Sequence, residues 1–376
     1  MTLTEKKKVV VGMSGGVDSS MAAALLKEEG YEVIGITLQT MPSGGPDDVG
    51  GCCSITAIDD ARRVAHQLGI PHYVLNFRTI FEENVIDYFT NAYLSGETPN
   101  PCTMCNRVVR WGEFLRKARA LGADYLATGH YAKVLQDPQN GRYLMSRPVD
   151  VWKDQTYMLY TLSQDQLKHT LFPLADYKKE HIREMAAERG LLRVSRKPDS
   201  QEICFIPDDD YVSFIRERSP GKIKPGNFVD QKGNILGRHQ GLVNYTVGQR
   251  KGLGVTFGKP MFVLGFNVES NEVILGEDQE VYAPTLLATD LNWIAIPDLE
   301  GPLDVQAKIR YKAPLAEAKI IPLKDFETLP GAIGPVVRVE FATPQRAITP
   351  GQAVVFYQGD LVIGGGKIIT GSFISE

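Results

Sequence analysis

Cysteine is scarce in this chain, with five in 376 residues, an odd number and too few for a disulfide scaffold. A reducing compartment is therefore expected. No run of about 18 uncharged apolar residues occurs, so a membrane-spanning helix is not expected. Lys6-Lys7-Lys8 ahead of an apolar stretch imitates a secretory leader, but Ser14, Gly15, Gly16 and Asp18 interrupt it. A soluble cytoplasmic protein is the expectation. Charge of one sign is not in large excess either. The balance of 41 Lys+Arg against 45 Asp+Glu leaves −4, which excludes a histone-like polycation but leaves room for a local basic patch. With 43% hydrophobic and 23% charged residues the chain is not disordered, and its length suggests two or three domains.

The first 130 residues alternate strand-like and helix-like segments, the pattern of a parallel sheet flanked by helices. Lys8 to Met13 reads as a Val-rich strand, Val17 to Glu29 as a helix ending at Gly30, and Glu32 to Leu38 as the second strand. Ser54 to Leu68 and Arg107 to Leu121 read as helices, and His72 to Leu75 and Tyr125 to Thr128 as strands. Beyond about residue 210 the texture changes. Gly and Pro recur between short β-branched runs such as Asn271 to Leu275, Val336 to Phe341 and Ala353 to Tyr357, which suggests β-barrels. Expected is an α/β plus β protein: an N-terminal Rossmann-like domain over 1–210, a small central domain over 211–285 and a C-terminal β-barrel over 286–376.

The segment Gly12-Met13-Ser14-Gly15-Gly16-Val17-Asp18-Ser19-Ser20 sits between a strand and a helix. Small residues there let backbone N–H groups approach an anion, and the helix start adds partial positive charge. A tight βα turn with no ligand is the plainer reading. The segment lacks the Lys of a Walker loop and the spacing of a dinucleotide fingerprint.

Cysteine recurs in Asn100-Pro101-Cys102-Thr103-Met104-Cys105-Asn106, at a loop-to-helix junction where a helix start would lower a thiol pKa. A third thiol, Cys204, precedes Phe205 and Ile206. From the residues alone three readings stand: core packing at Cys204, a metal or iron–sulfur site on three thiols, or a thiol pair that carries and releases sulfur. Cys52 and Cys53 read as loop residues without chemistry.

The glycine segment matches in full the SGGxDS loop of the PP-loop ATP pyrophosphatases, which cleave ATP to AMP and pyrophosphate. The whole chain resembles the tRNA-specific 2-thiouridylases. The match runs in order through Thr98-Pro99-Asn100-Pro101, Ala127-Thr128-Gly129-His130-Tyr131-Ala132, Lys153-Asp154-Gln155-Thr156-Tyr157-Met158-Leu159 and Ser195-Arg196-Lys197-Pro198-Asp199-Ser200-Gln201-Glu202-Ile203-Cys204-Phe205. It continues through Tyr245-Thr246-Val247-Gly248-Gln249-Arg250-Lys251-Gly252-Leu253, Arg310-Tyr311 and Pro350-Gly351-Gln352-Ala353-Val354.

The resemblance implies a tRNA sulfurtransferase that adenylates the 2-carbonyl oxygen of a wobble uridine and then inserts sulfur. Cys204 is implied as the persulfide carrier and Cys105 as the nucleophile that later pairs with it in a disulfide. ATP, with Mg²⁺, is implied at Gly12, Met13, Ser14, Gly15, Gly16, Val17, Asp18, Ser19, Leu38 and Gly129, with no resident metal site. tRNA is implied at Asn100, Pro101, Cys102, His130, Lys153, Asp154, Gln155, Arg310, Tyr311 and Gln352. Some family members have Asp where Cys102 stands. A persulfide-carrying donor protein is the implied second partner. The alternatives are a cluster-binding redox protein using Cys102, Cys105 and Cys204, for which an iron–sulfur cluster stands second, and a PP-loop ligase for a small metabolite. Residues 101–153 hold nine Lys/Arg against four acids, a local excess expected to form a phosphate track.

Overall fold

The computed structural model describes residues 6–41, 55–199, 203–206, 208–254, 258–324, 329 and 331–369. Cys52, Cys53 and Ser200 to Glu202 lie outside the described residues. The chain divides into two compact units. One comprises Met1–Val85, Cys102–Asp209 and Asp360–Val362, and the other Ile86–Pro101, Asp210–Gly359 and Ile363–Glu376.

In the first unit the strands are β1 (Lys8–Gly12), β2 (Glu32–Gln39), β3 (His72–Asn76), β4 (Tyr125–Ala127), the hairpin β5 (Lys133–Gln136) and β6 (Tyr143–Ser146), and β7 (Thr170–Leu171). All but the hairpin form one parallel sheet in the order β3-β2-β1-β4-β7. Val9, Val10 and Val11 of β1 are fully buried, as a central parallel strand covered on both faces requires. Helices α1 (Val17–Glu28) and α2 (Ile55–Leu68) follow β1 and β2. The Ser, Met and Ala side chains of α1 are buried nearly all round, and Met21, Ala22, Ala24 and Leu25 belong to the main core. The winding reverses at β1, with β2 and β3 on one side and β4 and β7 on the other. A crevice at the C-terminal ends of β1 and β4 is where such sheets hold ligands.

Two local features depart from the sequence reading. β7 has two residues and the strands of the hairpin β5–β6 four each, too few for a periodic signal. The helix expected over 107–121 starts earlier, at Pro101, where the ring presets the first helical φ. Its middle, Cys105–Phe114, is π-helical, and it tightens to an α-helix only over Leu115–Ala120.

The second unit contains helices Asp87–Leu94 and Tyr211–Arg218, which meet through stacked Tyr93 and Tyr211 rings 4.7 Å apart. A small sheet follows, from β8 (Gly226–Val229), β9 (Ile235–His239), β10 (Phe262–Asn267) and β11 (Glu272–Gly276) in the order β10-β11-β8-β9. Two antiparallel hairpins are joined there by the parallel pair β11–β8. Phe228, Tyr245, Val263, Val273 and Leu275 fill its core.

The remaining strands are β12 (Tyr282–Trp293), β13 (Leu303–Lys308), β14 (Ala316–Pro322), β15 (Val337–Arg346), β16 (Ala353–Gln358) and β17 (Leu361–Ile368). They run β12-β15-β14-β13-β16-β17, and β17 pairs back onto β12, closing a six-stranded barrel. Val305, Ile320, Val339 and Val354 are buried, as the filled interior of so small a barrel demands. Among the described residues no helix is long and apolar enough to cross a membrane. Phe228 is fully buried against His239 and Tyr245. Phe228→Ala is expected to cost about 3–5 kcal/mol, checked by denaturant unfolding followed through this unit.

Candidate active site

The loop leaving β1 is closed by its own backbone and hydroxyls. The Ser14 amide donates to Ser19 Oγ at 3.1 Å, and the Ser19 and Ser20 hydroxyls donate to the Gly16 carbonyl at 3.2 and 2.8 Å. Thr37 of β2 donates to the Met13 carbonyl at 2.7 Å and so accepts from His72 Nε2 at 2.9 Å. Gly15 has φ +70°, and a Cβ there would stand 2.2 Å from the Ala57 carbonyl of α2. Only glycine fits that position. Leu38 lies at the same C-terminal end of the sheet, on β2.

Asp18, in the first turn of α1, is held from two sides. The Tyr131 hydroxyl donates to Oδ1 at 2.8 Å, and Lys179 Nζ donates to Oδ2 at 2.6 Å. Burial, then the Asp18 carboxylate, pushes the Tyr131 phenol far up, so it stays protonated. Lys179 is itself buried and reaches Asp199 Oδ1 at 2.8 Å. Asp199 also receives Lys153 at 2.7 Å and Arg183 at 2.6 Å. Burial raises the Asp199 carboxyl, but hydrogen bonds from Lys153 and Lys179 outweigh it and hold the group at about 2. Arg183 further donates to the Ser195 and Lys197 carbonyls. Lys197 closes the ring, donating to the Gly15 carbonyl and pairing with buried Asp60, both at 3.1 Å.

A second bridge runs from the glycine loop to the cysteine-bearing helix through the exit of β4. A Cβ on Gly129 would stand 2.6 Å from the Asp18 carbonyl carbon and the Ser19 nitrogen, so this turn presses directly on the start of α1. The next residue, His130, accepts from Arg110 at Nε2, 2.9 Å away, and its Nδ1 proton therefore faces Thr128 Oγ1 at 2.7 Å. Burial, with the Arg110 guanidinium adding to it, pushes His130 well below the usual imidazole value, and the ring is neutral at pH 7. Arg110 also donates to the side chain of buried Asn106, whose amide donates to the Met158 carbonyl. Asn106 directly follows Cys105, which is half-buried at the head of the π-helical stretch.

Cys102, Cys105 and Cys204 are all thiols. Cys102 is open to solvent but ringed by protein, and that burial pushes its thiol up, with Arg110 partly opposing. The lowering expected from the helix start is thus reversed at Cys102, because desolvation of a thiolate outweighs one short helical turn. Phe205 and Ile206 are buried, with Phe205 edge-on to Phe81, while Cys204 between them and solvent is exposed. The core-packing reading holds for its neighbours and fails for Cys204. Among the described residues no three His, Cys, Asp or Glu side chains group to hold a metal ion, and these three thiols form no such set.

The residues implied in tRNA contact are distributed as follows. Lys153 is engaged with Asp199. Asp154 is 3% exposed, accepting from Arg147 and from Thr156, and Gln155 accepts the Tyr131 amide. The side chains of Asp154 and Gln155 therefore serve the interior of the first unit. Pro101 is buried at the helix start and Asn100 half-buried just before it. In the second unit Gln352 donates to the Thr98 carbonyl at 2.8 Å, while Arg310 donates to the Arg346 carbonyl and Tyr311 lies under Lys308.

Sequence reasoning missed Asp60, Tyr131, Lys179, Arg183 and Lys197 as site residues. Tyr131, Lys197 and Asp199 stand inside matched motifs, which was a signal. Lys179 lies 161 residues from Asp18 and offered none. The basic residues of the expected phosphate track over 101–153 mostly have carboxylate partners. Arg116, Lys117, Arg119, Lys133, Arg147 and Lys153 are all paired with carboxylates, four of them with a partner more than 40 residues away. Acids distant in sequence neutralise what a local count leaves positive.

Three family models match the chain: a tRNA methyl transferase HUP domain over 7–208, a tRNA methyl transferase PRC-barrel domain over 212–277 and an aminomethyltransferase beta-barrel domain over 283–368. The chain is 94% identical over 370 residues to a tRNA-specific 2-thiouridylase of Desulfitobacterium hafniense (strain Y51), covering 98% of this chain and 100% of the relative. It is 57% identical over 366 residues to those of Acetivibrio thermocellus and Heliobacterium modesticaldum. These matches cover 96% and 97% of this chain and 99% and 93% of the relatives.

The depressed Asp199 carboxyl makes stability depend on pH. Its contribution is complete above the unfolded value of 3.8 and is lost as pH falls through the folded value of about 2. The gap in thermal midpoint between the parent chain and Asp199→Asn is expected to be constant from pH 7 to about 5 and to narrow below about pH 4. A melt series at several pH values checks this.

Proposed function

The chain belongs to the tRNA-specific 2-thiouridylase family, and we propose that it exchanges the 2-carbonyl oxygen of the tRNA wobble uridine for sulfur, using ATP and a cysteine persulfide. One observation carries the reading. A glycine loop at a helix start is braced to the cysteine helix through Gly129, His130 and Arg110, and to the segment before Cys204 through Lys197 and Asp199. Methyl transfer, which the domain descriptions name, needs neither triphosphate activation nor a thiol pair.

Oxide cannot leave a pyrimidine carbon, so the oxygen must first be activated. Attack of the uracil oxygen on the α-phosphorus of ATP makes AMP the leaving group and frees pyrophosphate. Backbone N–H groups over Gly15 to Ser19, at the start of α1, suit the phosphates, with Gly12, Met13, Ser14, Leu38 and Gly129 lining the nucleotide. Lys153, Lys179 and Arg183 supply positive charge beside Asp18 where pyrophosphate would depart. Mg²⁺ fits here only through a single protein group. Both Asp18 oxygens keep a lone pair beyond Tyr131 and Lys179, so Asp18 would hold the ion with the phosphates, and the ion would offset their charge.

Cys204, exposed on a segment anchored by Phe205 and Ile206, takes the sulfane sulfur from a donor protein. Cys105 thiolate then attacks the Cys204 sulfur of the persulfide. A Cys105–Cys204 disulfide forms, hydrosulfide is released and attacks C2, AMP departs, and an external thiol must reduce the disulfide. Asn100, Pro101 and Cys102 suit the base pocket, while His130, Lys153, Arg310, Tyr311 and Gln352 support tRNA docking, with Asp154 and Gln155 holding the turn behind Lys153 from inside. The domain limits near 210 and 285 and a cytoplasmic location belong to the same proposal.

Two experiments test it. Mass spectrometry of tRNA nucleosides is expected to show 2-thiouridine with the parent chain and almost none with Cys105→Ser or Cys204→Ser. Cys105→Ser still loads labelled sulfur, whereas Cys204→Ser does not, and equal loading by both would overturn the assignment. Separately, Lys179→Met is expected to weaken ATP binding by at least about tenfold while AMP binding changes little, because a buried cation facing the terminal phosphates is lost. Calorimetric titration with both nucleotides checks it.

A further inference from the structure

Trp152 is 91% exposed, and Val149 and Val151 beside it are 55% and 50% exposed, although large apolar side chains are normally covered. The turn that bears them is rigid. Asp150 caps the 3₁₀ turn Val151–Lys153 by accepting from the Trp152 amide at 3.2 Å, and its other oxygen accepts from the Lys179 amide at 2.9 Å. The Val149 amide donates to the Ala175 carbonyl, and Lys153 at the far end is tied to Asp199. The indole is therefore held out to solvent by the network that fixes Asp18 and the glycine loop. A rigid exposed indole buried against nothing in its own unit is built to meet something else.

We propose that Trp152 is a stacking platform for an unpaired nucleobase of the tRNA substrate, an assignment that rests on the thiouridylase reading above. Size and charge select this occupant. One indole and two valines offer far less than the roughly 800 Å² a side that a stable protein partner needs, but they match one base. Most cations in the surrounding segment are already paired with carboxylates, so phosphate attraction there is weak. Stacking on an aromatic face supplies affinity without free charge.

The test uses the full chain with tRNA, measuring affinity across a salt series for the parent, Trp152→Ala and Trp152→Phe. Trp152→Ala is expected to weaken binding on the order of tenfold at every salt concentration, with an unchanged slope of log affinity against log salt. Trp152→Phe should recover most of the loss, and ATP binding should be unaltered in both. In the parent chain the emission of Trp152 should be quenched on adding tRNA, since Trp111 is buried and Trp293 half-buried. Parental affinity in Trp152→Ala, or a loss confined to a changed salt slope, overturns the platform. So does intact tRNA affinity with slowed sulfur loading at Cys204, which would make the surface a protein contact. A parent chain that binds no tRNA at any salt would instead sink the thiouridylase reading, and the platform with it.

Discussion

Lys179 between Asp18 and Asp199 is the contact on which the first unit's candidate site depends for its arrangement. A buried ammonium is tolerated only when carboxylates meet it, and removing one partner from such a set typically costs about 3–5 kcal/mol. Here the lysine joins three stretches of chain that share no local sequence: the start of α1, the start of helix Lys179–Glu188 and the segment leading to Cys204. Arg183 and Lys197 repeat the tie with neutral acceptors, holding the Ser195, Lys197 and Gly15 carbonyls. The excess of cations over carboxylates at this point is the feature on which the proposed pyrophosphate release rests.

The exit of β4 does for the cysteine helix what Lys179 does for the glycine loop. Gly129 allows the turn to touch α1 without a side chain between them, and His130 then hands its orientation to Arg110. A neutral imidazole accepting from a guanidinium adds no competing charge beside the thiols. The same guanidinium holds Asn106, and so sets the residue that follows Cys105. The π-helical run Cys105–Phe114 starts at this held point, and π-helical turns are frequent at functional sites.

In the second unit the segment before Asn100 is clamped to the barrel. The Thr98 amide donates to the Pro350 carbonyl at 2.9 Å, Gln352 takes the Thr98 carbonyl, and a Cβ on Gly351 would meet Glu97 and Thr98 at 2.9–3.1 Å. Lys367 of β17 pairs with Glu97 at 2.8 Å. Gln352 is thus a positioning residue for the stretch that enters the cysteine helix, whatever else it touches.

Much was legible in the sequence because it is local. A triple Val strand, a Ser-Gly-Gly turn and an Ala-rich helix in series point to a parallel sheet with a tight βα turn at its C-terminal edge, since period and turn chemistry act over a few residues. β-branched runs spaced by Gly and Pro likewise dictate the barrel. Tertiary structure decided what depends on groups far apart in the chain: that Lys179 faces Asp18, that Asp154 is interior, that the cations of 101–153 are mostly paired, and that Cys204 is exposed while Phe205 is not. Desolvation and ion pairing are set by every atom within several ångströms, and no spacing along the chain encodes which atoms those are.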